Sequence, residues 1–171
     1  AAPSNCQPRN VGNATVAGAE FEVRKNLGFL GLKNFEMNSN VSIIYSGVQR
    51  DSSEYQARLA SARDGEEIST VRPMQGQSPY MLNAGVSYNN SKNKWQGGLF
   101  YNVQGEKLHI VGVADNPDVF EVPFHSLNFN ILHSFGEERQ YQIGVSVNNI
   151  LDDTRDRVFR SFNSHSPYFS T

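Results

Sequence analysis

Cysteine is almost absent: Cys6 is the only one in 171 residues. An internal disulfide and a cysteine-rich metal site are both excluded. Long apolar runs are missing too, and none approaches the roughly 20 residues a membrane-spanning helix needs. That excludes a helical membrane protein but not membrane strands, which alternate and look only half hydrophobic. Excess charge of one sign is lacking: 15 Lys and Arg face 17 Asp and Glu, a net charge of −2, so nothing points to nucleic acid. The four histidines, His109, His125, His133 and His165, have no zinc or catalytic spacing. There is no Gly-x-Ser-x-Gly elbow. The acid pairs Glu66-Glu67 and Asp152-Asp153 fall in loop-like stretches, where solvation is expected rather than acid–base work. No catalytic residue, metal site or cofactor is therefore expected. The chain has no initiator Met and no signal-peptide pattern. It begins at Ala1-Ala2-Pro3 and ends at Ser170-Thr171 in loop-like composition, which reads as a section cut from a larger domain.

What is present is period-two alternation, repeated six times. Segment 14–25 sets Thr15, Ala17, Ala19, Phe21 and Val23 against Gly18, Glu20, Glu22 and Arg24. Segment 35–48 sets Phe35, Met37, Val41, Ile43 and Tyr45 against Glu36, Asn38, Asn40 and Ser42. Segment 80–88 sets Tyr80, Leu82, Ala84, Val86 and Tyr88 against Met81, Asn83, Gly85 and Ser87. Segments 95–106, 124–135 and 141–150 continue the pattern, with Phe100 and Leu132 out of phase. The connections alternate short and long: 26–31, 89–94 and 136–139 are tight, whereas 49–78, 113–122 and the stretch from Asp152 onward are long. Residues 53–63 are expected to form a short helix with Tyr55, Leu59 and Ala62 on one stripe.

A soluble sandwich also alternates, but it has no reason to sort its loops by end as outer-membrane barrels do. Aromatics gather at strand ends: Phe35, Tyr88, Trp95, Phe135 and Tyr141 beside short turns, Tyr45 and Tyr80 beside long loops. This is the girdle pattern of rings at two lipid–water boundaries. Glu20, Glu22, Arg24, Glu36 and Glu106 all take the polar side, and no strand charge is expected among the apolar positions. The fold class expected is an all-β, antiparallel, up-and-down transmembrane barrel segment of about six strands. A soluble β-sandwich that uses its long loops to bind carbohydrate or protein is the second reading.

Residues 72–80 (RPMQGQSPY) followed by Asn83-Ala84-Gly85, residues 145–152 (VSVNNILD) and residues 15–22 (TVAGAEFE) resemble stretches of the TonB-dependent outer-membrane receptors. The resemblance spans essentially the whole chain. It implies the C-terminal part of a plugged barrel of roughly 22 strands, located in the Gram-negative outer membrane. It implies uptake of a scarce nutrient of siderophore, cofactor, glycan or peptide class. Outer-membrane lipid, the rest of the barrel with its plug, and the TonB energy-transducing complex are the partners implied. By the same resemblance the final strand is expected after Thr171, with the plug and energy-coupling box outside these 171 residues. A barrel section retained for adhesion or assembly is a third reading. Candidate ligand-binding residues in the outside loops are Arg58, Arg63, Arg72, Arg155 and Arg157, where guanidinium groups suit an anionic ligand. Candidate lumen-lining residues are Gln96, Asn102, Gln104, Asn128, Asn130 and Asn148.

Overall fold

The computed structural model describes residues 12–62, 64–113, 116–137 and 140–160. In chain order its elements are β1 (Ala14–Asn26), a 3-10 turn (Leu27–Leu30), β2 (Phe35–Gln49), α1 (Ser52–Ala60), β3 (Val71–Arg72), β4 (Tyr80–Asn90) and β5 (Trp95–Gln104). Then follow β6 (Lys107–Ile110), β7 (Asp118–Glu121), β8 (Phe124–Phe135), β9 (Tyr141–Val147) and β10 (Arg157–Arg160). The six alternating segments thus become β1, β2, β4, β5, β8 and β9. They pair antiparallel in that spatial order, with β3 attached to β2; β10, β7 and β6 form a second, small sheet.

The pairing register keeps like with like. One continuous row of partners runs Met37, Val86, Leu99, Phe129 and Val147 across five strands; the adjacent row on the other face runs Asn38, Gly85, Phe100 and Asn128. Lys25 corrects the expectation of a charge-free apolar face, since it pairs with Met37. It stands one residue from the short-turn end of β1, where its ammonium lies 5.9 Å from the Phe29 ring centroid and a long stem can carry the charge to water.

The register is also staggered. The row beginning at Asn26, the last residue of β1, passes through Glu36, Ser87, Gly98 and Asn130 and reaches Ser146, the sixth residue of β9. With the short turns at one level, that is a climb of about 17 Å over a width of about 24 Å. The slope of roughly 35° is the strand tilt of closed membrane barrels.

Burial separates the two sequence readings. Val48, Val103, Leu108 and Val158 are the only buried hydrophobic side chains among the described residues, whereas Phe21, Ile43 and Ile143 are more than half exposed. Among the described residues no second layer covers the apolar face, and extensive contacts join only hydrogen-bonded neighbours or β2 and its own turn. A soluble sandwich would have to bury that face.

The short turns are locally specified. Asn90 Oδ1 accepts from the Lys92 and Asn93 amides at 3.0 and 3.4 Å. Lys94 takes a positive φ of 59° and its ammonium donates to the Gly136 carbonyl of the next short turn at 2.6 Å. The Tyr88 hydroxyl accepts from the Asn90 and Asn93 amides at 3.1 and 2.9 Å, so the ring is held level with its turn. At the same end Phe35 and Tyr88 rings lie 4.9 Å apart, Trp95 stacks on His133 at 4.3 Å, and Phe135 stacks on Tyr141 at 5.4 Å. At the long-loop end the Tyr101 hydroxyl meets His125 Nδ1 at 2.6 Å. Each belt thus includes a histidine.

The out-of-phase apolar residues have a common partner. Ile44 pairs with Gly18, Phe100 with Gly85 and Leu132 with Gly144. On the polar face, each bulky side chain lies over a bare patch of backbone instead of projecting outward.

Candidate functional site

The long connections are not irregular. Asp51 caps α1 by accepting from the Glu54 amide at 2.7 Å, the N-terminal chemistry expected of Asp. The helix ends at Ala60, no residue in it is buried and Leu59 is exposed. The expected apolar stripe therefore does not hold it; ion pairs do. Glu54 receives Arg50 Nε and Arg72 Nε, each at 3.0 Å, clamping the helix to the chain just past β2 and to β3. Arg58 donates to the carbonyls of Gly112 at 3.1 Å and Asn116 at 3.3 Å and pairs with Asp118. Asp118 in turn accepts from the Gly112 amide at 2.8 Å.

A second knot joins the two later loops. The Glu121 carboxylate, 8 % exposed, meets Lys107 at 3.0 Å, Arg155 at 3.4 Å and Arg157 at 3.9 Å. Arg155 also lies 4.4 Å from the Phe124 ring centroid, and Arg160 pairs with Glu106. Burial pushes the Glu121 carboxyl up, but the Lys107 hydrogen bond and charge, with Arg155 and Arg157, outweigh it and hold the group below its ordinary value.

Of the candidate arginines, Arg58, Arg72, Arg155 and Arg157 are thus each ion-paired within the loops; Arg63, like Cys6 and His165, lies outside the described residues. Arg58 and Arg72 border a cavity of about 490 Å³ between α1 and the β6–β7 connection, with Asp51, Glu54, Gln75 and Val113. Arg155 and Arg157 remain about half exposed. Sequence reasoning missed the acids Glu54, Asp118 and Glu121. Arg50 and Glu54, four apart, were a readable signal, but nothing local marks a pairing between residues 58 and 118.

Gln96, Asn102, Gln104, Asn128 and Asn130 all share the polar face by register. Gln104 accepts from Lys107 at 3.4 Å, and Asn128 accepts from the Asn149 amide at 2.9 Å. Asn148 falls beyond the end of β9, correcting its placement on the strand; the backbone leaves the ladder there, and Asn149 takes a φ of 51°.

The family model for the TonB dependent receptor-like β-barrel matches residues 1–150. The chain belongs to this family. No curated protein and no solved structure matches it. As a TonB-dependent receptor barrel portion the chain is a non-enzymatic part of outer-membrane transport in Gram-negative bacteria. Its apolar face is accordingly the lipid-facing one, and the ion-paired loops belong to the outside end, since such barrels keep short turns on the periplasmic side.

The Arg58 clamp makes a testable demand. Arg58→Ala would leave the Asp118 carboxylate without its counter-ion and two carbonyls without the Arg58 donor, at a local cost of about 2 kcal/mol. Limited proteolysis of the full-length receptor should then cut first between residues 105 and 118, while the strands stay intact. Unchanged protection there would show that the loop is held by something else.

Proposed function

We propose that this chain is one wall of a plugged receptor that captures a bulky, scarce nutrient with its outside loops and passes it inward along the polar face. The observation that carries the reading is the combination of a two-faced, tilted wall with loops tied into an ordered platform around a cavity of about 490 Å³. Arg58 and Arg72 shape that platform, and the half-exposed Arg155 and Arg157 are the arginines left to meet an anionic group on the ligand. Gln96, Asn102, Gln104, Asn128 and Asn130 line the passage. Force from the TonB complex, reaching the barrel through its plug, would open the way.

The test is growth of cells lacking the full-length receptor, compared with cells lacking TonB. Media limited in turn for iron, an organic cofactor, peptide nitrogen or glycan carbon are the conditions. Loss of growth on one medium in both strains is the expected result. Growth equal to wild type on every medium would remove nutrient uptake and leave adhesion or assembly as the role.

A further inference from the structure

The lipid-facing side of the wall is not smooth. One row across it runs Phe35, Tyr88, Gly97 and Ile131; the next row toward mid-membrane runs Met37, Val86, Leu99 and Phe129. Gly97 is a gap in the first row. A Cβ there would come within 2.6 Å of the Asn130 carbonyl oxygen and 3.2 Å of Ile131 Cα, so the close approach of β8 keeps the position bare. Glycines of the polar face differ, since Phe100 lies against Gly85 and Gly98, and Leu132 against Gly144. At Gly97 the nearest side-chain atom is Ile131 Cβ, at 3.5 Å. The gap stays open as a groove of about 290 Å³ between Tyr88 and Ile131, with Val86, Leu99 and Phe129 toward mid-membrane.

The groove is not an edge. The strands that build it, β2, β4, β5 and β8, each have a hydrogen-bonded neighbour on both sides. A plug fills the lumen on the opposite face, so lipid is what meets the groove. Gly97 and Leu99 lie three and five residues from Lys94, about 10 and 17 Å along the strand. The groove thus starts level with the Tyr88 ring and runs into hydrocarbon. Beyond it, at the turns, the charge is of one sign. The first two short turns carry Lys33, Lys92 and Lys94 and no acid, and Lys33 and Lys92 are exposed. Acids at that end stand elsewhere: Glu36 pairs with Arg24 on the polar face, and Glu137 sits in the third short turn, past β8.

We infer that the groove holds one acyl chain of an acidic phospholipid of the periplasmic leaflet, whose headgroup is met by Lys33 and Lys92. Lipid tails are as apolar as Leu, so burial alone gives no preference for the groove over bulk lipid. Shape and charge supply it. A void against the wall forfeits dispersion contacts on both sides, and an unbranched methylene chain fills a furrow that the wall's own side chains leave open. The groove is also preformed: the Tyr88 hydroxyl is held by the Asn90 and Asn93 amides, so little ordering is required when the chain enters. An ammonium is a compact charge suited to phosphate, and each lysine near an acidic membrane surface contributes about fivefold in affinity. The receptor thereby keeps one fixed lipid beneath its short turns instead of a wholly fluid annulus.

The test reconstitutes the full-length receptor into phosphatidylethanolamine vesicles holding a small fraction of phosphatidylglycerol with a diazirine in one acyl chain. After illumination, peptide mass spectrometry maps the label. In wild type it should concentrate on residues 86–99 and 129–131, and unlabelled phosphatidylglycerol should compete while phosphatidylcholine should not. Lys33→Gln and Lys92→Gln should each lower that labelling about fivefold with the groove intact. Val86→Phe, whose ring would occupy the groove, should lose the label at 129–131 with both lysines in place. Heat-dependent gel mobility should be the same in all four proteins, showing that each barrel is assembled. Three results would overturn the inference: label spread evenly over the apolar face, label unchanged in both lysine variants, or label confined to the long-loop half of the strands. The first would mean fluid annular lipid only, the second that the headgroup is not read, and the third that the ordered lipid belongs to the outer leaflet.

Discussion

Leu99→Arg is expected to prevent stable insertion of the full-length receptor. Leu99 is 46 % exposed and its partners on either side are Val86 and Phe129. It lies on the apolar face between Trp95 in the short-turn belt and Tyr101 toward the long-loop end. A guanidinium there enters hydrocarbon at a cost of about 2–4 kcal/mol, a large share of the 5–15 kcal/mol that holds a typical domain. The matched control is Asn102→Arg, three residues along on the opposite face, which should cost under about 1 kcal/mol. Denaturant unfolding of the receptor refolded into phospholipid vesicles measures both, and gel mobility with and without heating shows whether the barrel assembles in cells. Equal stability of the two variants would mean that lipid does not cover the face carrying Leu99.

The second large effect is expected at Glu121. Removing its carboxylate leaves Lys107, itself 16 % exposed, without its ion-pair partner. Breaking a buried pair from one side costs about 3–5 kcal/mol, and the lower figure is apt because Arg155 and Arg157 are about half exposed and screened. Glu121→Ala should therefore free β10 from β7 and expose residues 105–121 to hydrogen exchange, while β8 and β9 keep their protection. Acid should imitate it. The folded-state pKa of Glu121 lies below its ordinary value of 4.5. The stabilisation is therefore complete above that value and is lost as pH falls through the folded-state pKa. Exchange measured from pH 7 down to pH 3 should show the outside sheet loosening only in the acid part of that range, and Glu121→Gln should remove the pH dependence. A sheet equally protected in Glu121→Ala at neutral pH would show that the knot is dispensable.

What was legible in the chain was whatever depends on neighbours two residues apart. All six strand positions, the two faces and the sorting of short from long connections follow from that period, because a pleated strand sends alternate side chains to opposite sides. The belt residues Phe35, Tyr88, Trp95, Phe135 and Tyr141 could be placed for the same reason, as each sits at a strand end. Two local readings failed. The expectation of a charge-free apolar face passed over Lys25, which shares the phase of Phe21 and Val23 and pairs with Met37. Asn148 continued the alternation of β9, but the backbone leaves the ladder after Val147, and the Asn149 amide donates to Asn128 Oδ1 instead.

The candidate arginines show the boundary between the two kinds of information. Guanidinium groups in long loops are open to ligand or to protein, and composition does not choose between them. The carboxylates that engage them come from elsewhere in the chain: Arg58 meets Asp118, and Arg155 and Arg157 meet Glu121. The small sheet of β6, β7 and β10 likewise joins segments from two different loops. The sequence by itself determined a two-faced wall of six strands, since hydrophobic alternation is written residue by residue. Only the tertiary structure decided the stagger that tilts the strands, the salt bridges that tie the loops, and the rows that bring Tyr88, Gly97, Leu99 and Ile131 around one groove. Those depend on register between strands, and register is set by contacts across the sheet and through the turns that no single strand contains.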